Sequence, residues 1–180
     1  MAELFSEFER IIVDEASIQK RVTELANQIS EEYDGKGSIV LVSILKGSFM
    51  FVSDLARQLS VPHYVDFMAL SSYGSKAVSG AVRVLLDLRA DIYNKHVLIV
   101  EDIVDTGKTI DYLHLMLQAR HPASLKTCVL TQKIRDKNPI PVDYLGFEIP
   151  DVWVVGYGLD FGERHRTWPY IAELKKEAYQ

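Results

Sequence analysis

Apolar residues recur along the chain at two different periods. Ile18, Val22, Leu25, Ile29 and Tyr33 are spaced by three and four, so 15–33 reads as an amphipathic helix. Asp14 stands where an N-cap belongs, and Gly35 and Gly37 close the segment. The pattern then changes. Residues 39–45, Ile-Val-Leu-Val-Ser-Ile-Leu, are almost continuously apolar and rich in β-branched side chains, as expected of a strand buried on both faces. Lys46-Gly47 interrupts that run, and Phe49, Val52, Leu55, Ala56 and Leu59 restore helical spacing. Strands are expected over 63–70 and 81–88, on either side of a polar, glycine-flanked stretch at 71–80 that is long for a hairpin and reads as a mobile loop. Val97–Val100 is another buried strand, followed by a polar loop and a helix over 109–120, stopped near Pro122. Further strands are expected at 125–130, 142–147 and 152–157.

Strands alternating with helices imply a mostly parallel sheet covered on both faces, an α/β fold. Ligands of such sheets bind beyond the carboxyl ends of the strands, so each polar segment that follows a strand is a candidate site.

Composition narrows the function classes. A chain of 180 residues, 48% hydrophobic and 25% charged, suits a single globular domain over 1–180. The net charge of −5 argues against a general nucleic-acid binder. No apolar run approaches the roughly 20 residues of a membrane span, and the acidic N-terminus lacks the basic and apolar regions of a signal peptide. A cytoplasmic protein with no membrane and no nucleic-acid partner is expected. The one cysteine, Cys128, excludes an intramolecular disulfide and reads as a buried strand thiol among apolar neighbours. The histidines at 63, 96, 114, 121 and 165 show no metal-ligand spacing.

The most informative stretch is 100–109, Val-Glu-Asp-Ile-Val-Asp-Thr-Gly-Lys-Thr. Two acids, Glu101 and Asp102, sit where a buried strand emerges; successive strand residues face opposite ways, so the two are expected to do different work. Asp105-Thr106-Gly107-Lys108-Thr109 then turns into a helix whose N-terminal amides form a ready anion site. A triphosphate P-loop is excluded, because the position that needs its first glycine holds Asp102, which would repel phosphate. What remains is a monophosphate-sized cup with two acids upstream, suited to sugar hydroxyls or to a Mg²⁺ that travels with pyrophosphate.

This segment resembles the phosphoribosyl pyrophosphate signature of type I phosphoribosyltransferases. From about Ile39 to Arg166 the chain is similar to the hypoxanthine-guanine branch of that family. The resemblance implies a central sheet flanked by helices, with a small hood built from the N- and C-terminal segments. It implies transfer of 5-phosphoribose from phosphoribosyl pyrophosphate to N9 of hypoxanthine or guanine, giving IMP or GMP and pyrophosphate, with Mg²⁺ as cofactor and a homo-oligomer, dimer or tetramer, as the assembly.

Site roles follow residue by residue from the same resemblance. Lys46 and Gly47 would bind pyrophosphate, across a Leu45–Lys46 peptide that can be cis. Glu101 and Asp102 would hold the ribose hydroxyls and the metal, and Asp160 a second Mg²⁺. Asp105 would act as general acid/base near purine N7. Ile103, Val104, Thr106, Gly107, Lys108 and Thr109 complete the loop that takes the 5′-phosphate. Ser72 and Tyr73 match a flexible loop that closes over the reacting centre. Lys133 would hydrogen-bond the purine 6-oxo group, Trp153 would stack on the base in place of a more usual phenylalanine, and Val154 would offer backbone groups to the base edge. Arg166 would bind pyrophosphate, with Arg164 close enough to compete for that assignment. A regulatory protein on the same fold, or an enzyme acting on adenine or xanthine, are the rival readings.

Overall fold

The computed structural model describes residues 7–72, 82–135 and 142–179. In chain order the elements are β1 (Phe8–Val13), α1 (Glu15–Tyr33), β2 (Ile39–Leu45), α2 (Phe49–Gln58), β3 (His63–Ser72), β4 (Val82–Leu86), β5 (His96–Val104), α3 (Lys108–Gln118), β6 (Ser124–Lys133), β7 (Tyr144–Ile149), β8 (Val154–Val155) and β9 (Ile171–Leu174), with a 3₁₀ turn at Lys176–Ala178. Six strands form one sheet in the order β4-β3-β2-β5-β6-β7. All neighbours pair in parallel except β3 with β4. β2 lies between β3 and β5, which is why its run reads apolar throughout: residues 39–44 are all buried.

Two hydrophobic layers cover the sheet. On one face Ile18, Val22, Leu25 and Ile29 of α1 and Phe51, Val52 and Leu55 of α2 pack on Ile39, Leu41, Leu98, Val100 and Cys128. On the other Ile110, Leu113 and Leu117 of α3 pack on Val40, Val42, Val97, Ile99 and Val129. The alternating strand residues thus feed both layers. Cys128 is free and fully buried, and burial pushes its thiol far up from the ordinary range, as the strand-thiol reading expects. Among the described residues, no helix is long and apolar enough to cross a membrane.

The chain ends build a second, three-stranded antiparallel sheet in the order β1-β9-β8. This is the hood, and two of its strands were not expected. Phe8–Val13 shows no clean alternation, because its middle residues are exposed and charged or apolar alike. Its partner β9 lies at the far end of the chain, pairing Phe8 with Leu174 and Val13 with Ile171. The strand expected over 152–157 shrinks to Val154–Val155. Gly156, Tyr157 and Gly158 all have positive φ, at 99°, 49° and 104°, so the chain leaves the strand geometry at once. Of the expected loop at 71–80, Ser71 and Ser72 continue β3, and the rest lies outside the described residues.

Asp14 caps α1 by accepting the Ser17 N–H at 2.8 Å. At the other end of α1, Glu32 accepts hydrogen bonds from Lys126 Nζ and the Tyr144 hydroxyl, which tie the helix to β6 and β7. The Lys126 bond, then the Tyr144 bond, hold the Glu32 carboxyl below its ordinary range. A carboxylate depressed in the folded state stabilises the fold above its unfolded pKa and loses that contribution as pH falls. Glu32→Gln should therefore lower Tm at pH 7, and the gap from the parent protein should narrow below about pH 4.3. Thermal melts across pH 3–7 check this.

Candidate active site

The site forms at the carboxyl edge of β2, β5 and β6, where three segments meet at backbone distance. After β2 the Leu45–Lys46 peptide is cis, and the turn is held by Ser48 Oγ, which donates to Ile44 O at 2.6 Å and lies 2.7 Å from Ser43 Oγ. This turn brings Gly47 against the end of β5. A Cβ on Gly47 would stand 1.7 Å from Asp102 Oδ2, so a larger residue would have to displace that carboxylate. From the other side, a Cβ on Gly158 would stand 1.9 Å from Gly47 O. The positive φ values that cut β8 short are what deliver Gly158 to this contact.

Glu101 and Asp102 are both buried, each 8% exposed. Thr131 Oγ1 on β6 donates to Asp102 O at 2.8 Å and fixes the strand end. Desolvation pushes Glu101 well above the usual carboxylate range, and the neighbouring Asp102 charge pushes the same way. Asp102 is pushed up to about 6 by burial, against backbone N–H donors from itself and Ile103 and the positive charge of Arg166. Each carboxyl thus feels the other, although the two stand differently toward the cleft. Only Asp102 lines the cleft. Glu101 sits behind it, and its Oε2 is buried with no hydrogen-bond partner among the described residues.

Asp102, Ile103, Asp105, Lys133, Trp153, Val154, Leu159 and Asp160 line one cleft of about 230 Å³. The sequence proposed all of these except Leu159. Lys133 closes β6 with its side chain only 12% exposed, its Nζ 3.3 Å from Asp151 Oδ1. Trp153 is 47% exposed; it meets Phe161 edge-on and stacks on Tyr179 at a centroid distance of 5.4 Å. Beyond Asp105, Gly107 takes φ 78° at the start of α3 and its carbonyl accepts the Asp111 N–H, so the preceding amides of the helix N-terminus face the loop 105–109 without intrahelical partners. Val104 is buried. Ser72 ends β3, and Tyr73 lies outside the described residues.

The cations gather beside this cleft. Arg166 donates to Gly158 O at 2.8 Å and pairs with Asp160 Oδ1 at 2.8 Å. Asp160 Oδ2 accepts the Glu163 N–H, so both oxygens of the expected metal ligand have protein donors. Arg164 points elsewhere, 3.6 Å from Glu7. Glu163 was not foreseen. It accepts from Lys46 Nζ at 3.1 Å on each carboxylate oxygen and lies 3.2 Å from Arg166 Nη2, joining the two cations expected to meet pyrophosphate. An exposed glutamate in a polar loop carries no sequence signal for this. Arg135 and Asp151 were also missed. Arg135 lies past the end of β6, where strand periodicity no longer fixes a side, so the sequence carried no signal for it.

Among the described residues, no group of three or more His, Cys, Asp or Glu side chains could hold a metal ion. A buried acidic pair with an unpartnered oxygen and raised proton affinity does fit a hard cation that takes its remaining ligands from substrate and water.

A mostly parallel sheet, a Gly-turn over a buried acidic pair and a turn into a helix start come together at this cleft. Residues 11–162 match the phosphoribosyl transferase domain family, and the chain belongs to that family. The chain is 47% identical over 175 residues to the hypoxanthine-guanine phosphoribosyltransferase of Dictyostelium discoideum, covering 94% of this chain and 97% of that one. It is also 47% identical over 167 residues to the hypoxanthine phosphoribosyltransferase of Salmonella typhimurium, covering 91% and 94%. Among solved structures, the hypoxanthine phosphoribosyltransferase from Trypanosoma cruzi in complex with the product IMP matches with a TM-score of 0.90 at 45% identity, over 96% of this chain and 97% of that one.

Proposed function

We propose that the protein transfers 5-phosphoribose from phosphoribosyl pyrophosphate to N9 of hypoxanthine, and also of guanine, giving IMP or GMP and pyrophosphate in purine salvage. The observation that carries this reading is one cleft lined by a lysine donor, an exposed indole face and three carboxylates, Asp102, Asp105 and Asp160, at the carboxyl edge of the sheet. We read 1–180 as one domain that forms a homo-oligomer.

Lys133 donates to the 6-oxo group, Val154 offers backbone groups to the base edge, and Trp153 covers the ring. Stacking of this kind is worth about 1–3 kcal/mol per base by analogy with nucleic-acid sites. Backbone amides of Thr106, Gly107, Lys108 and Thr109 receive the 5′-phosphate at the start of α3. Asp102, with Glu101 behind it, accepts the ribose hydroxyls. As the C1′–pyrophosphate bond breaks, positive charge grows on the ribose and negative charge on the leaving group. Lys46, the Gly47 amide and Arg166 stabilise that leaving group, for which Lys46 and Arg166 must first release Glu163. Asp105 accepts the N7 proton as N9 bonds to C1′.

Asp102 and Glu101, and Asp160 once Arg166 turns to substrate, are the residues that would hold Mg²⁺, which supplies charge neutralisation to the pyrophosphate. Excess EDTA should abolish IMP formation, and added Mg²⁺ or Mn²⁺ should restore it. Full turnover in metal-free buffer would remove the metal from this reading.

A further inference from the structure

Arg135 lies two residues beyond Lys133, past the end of β6. Its Nη2 is 2.6 Å from Asp105 Oδ1 and 2.8 Å from Asp151 Oδ1. Asp151 Oδ1 is in turn 3.3 Å from Lys133 Nζ. Four charges of alternating sign therefore run in order as Asp105, Arg135, Asp151 and Lys133. The ends of this chain are the two groups that face the same purine, the proton acceptor and the 6-oxo donor.

The same guanidinium nitrogen donates a hydrogen bond to Asp151 Oδ1 and forms an ion pair with Asp105 Oδ1. That ion pair anchors Asp105 Oδ1 on the Arg135 side. Asp105 needs such a hold, because it sits half exposed on a turn that reverses at Gly107. The pairs are themselves partly exposed, with Arg135 at 32% and Asp105 at 49%, and exposed ion pairs add little to folding stability. The consequence of the arrangement is geometric.

We propose that Arg135 is a positioning residue for phosphoribosyl transfer: it orients the Asp105 carboxylate toward the purine and, through Asp151, couples that orientation to Lys133. The proposal rests on the reading of Asp105 as proton acceptor and Lys133 as 6-oxo donor. A carboxylate misplaced by about 1 Å can cost on the order of 10²-fold in rate.

Steady-state kinetics on the full chain with hypoxanthine and phosphoribosyl pyrophosphate test it, using Arg135→Ala, Arg135→Lys, Asp105→Asn and the Arg135→Ala/Asp105→Asn double variant. Arg135→Ala should lower kcat by about 10–100-fold while KM for phosphoribosyl pyrophosphate and Tm stay near the parent values. Arg135→Lys, which keeps the charge and the stem, should recover part of the loss. In the Asp105→Asn background, Arg135→Ala should cost less than about threefold, because the carboxylate it positions is gone. An unchanged or raised kcat for Arg135→Ala overturns the proposal, and so does an equal loss in both backgrounds. An unchanged kcat for Asp105→Asn alone overturns instead the reading of Asp105 on which the proposal stands.

Discussion

Asp105→Asn is expected to lower kcat by about 10²–10⁴-fold, the usual contribution of a positioned general acid or base. The substitution keeps the side chain's shape and one carbonyl oxygen, so the loop that starts α3 should fold as before. KM for phosphoribosyl pyrophosphate should change little, because the phosphate contacts proposed for this loop are backbone amides. Asp105 is half exposed and reaches the cleft from its rim, whereas Asp102 is buried beneath Gly47. The two acids are thus separated by environment: one stays open to the ligand's proton, the other is desolvated and coupled to Glu101. A variant with unchanged kcat and a raised KM for phosphoribosyl pyrophosphate would make Asp105 a binding residue.

Base choice carries the second large effect. The Lys133 ammonium has three donors and no acceptor. Asp151 Oδ1 pairs with it at 3.3 Å, and donors remain for the ligand. A 6-oxo group accepts from them; the 6-amino group of adenine brings donors to donors in a pocket where Lys133 is 12% exposed. Leaving such a group unpaired costs about 1–3 kcal/mol or more. Sites built on polar pairing reject the wrong analogue by as much as about 10⁴–10⁵. The Trp153 face cannot discriminate, since both purines are flat. Lys133→Ala should cut kcat/KM for hypoxanthine far more than it alters the residual rate with adenine. Equal losses for both bases would remove Lys133 from base selection.

The parts of the fold that were legible in the chain are those whose burial is one-sided or complete. α1 and β2 begin and end where the periodicity of 15–33 and the apolar run of 39–45 place them. β1 was not legible, because its exposed middle leaves no alternation; β9 is buried but only four residues long, and the pairing of the two is set by tertiary contact between the chain ends. β8 was overread, since three consecutive positive-φ residues bend an apolar segment out of the sheet to reach Gly47. The site divides in the same way. The acidic pair and the loop at 105–109 are contiguous and chemically unusual, so they stood out. Glu163 and Asp151 did not, because what they do depends on which cations the fold brings beside them.

The most direct test is product analysis of the protein incubated with phosphoribosyl pyrophosphate, Mg²⁺ and hypoxanthine, guanine or adenine in turn. The account predicts IMP and pyrophosphate in equal amounts from hypoxanthine, turnover of guanine, and negligible AMP. A kcat/KM for adenine comparable to that for hypoxanthine, or no nucleotide from any 6-oxopurine, would contradict it.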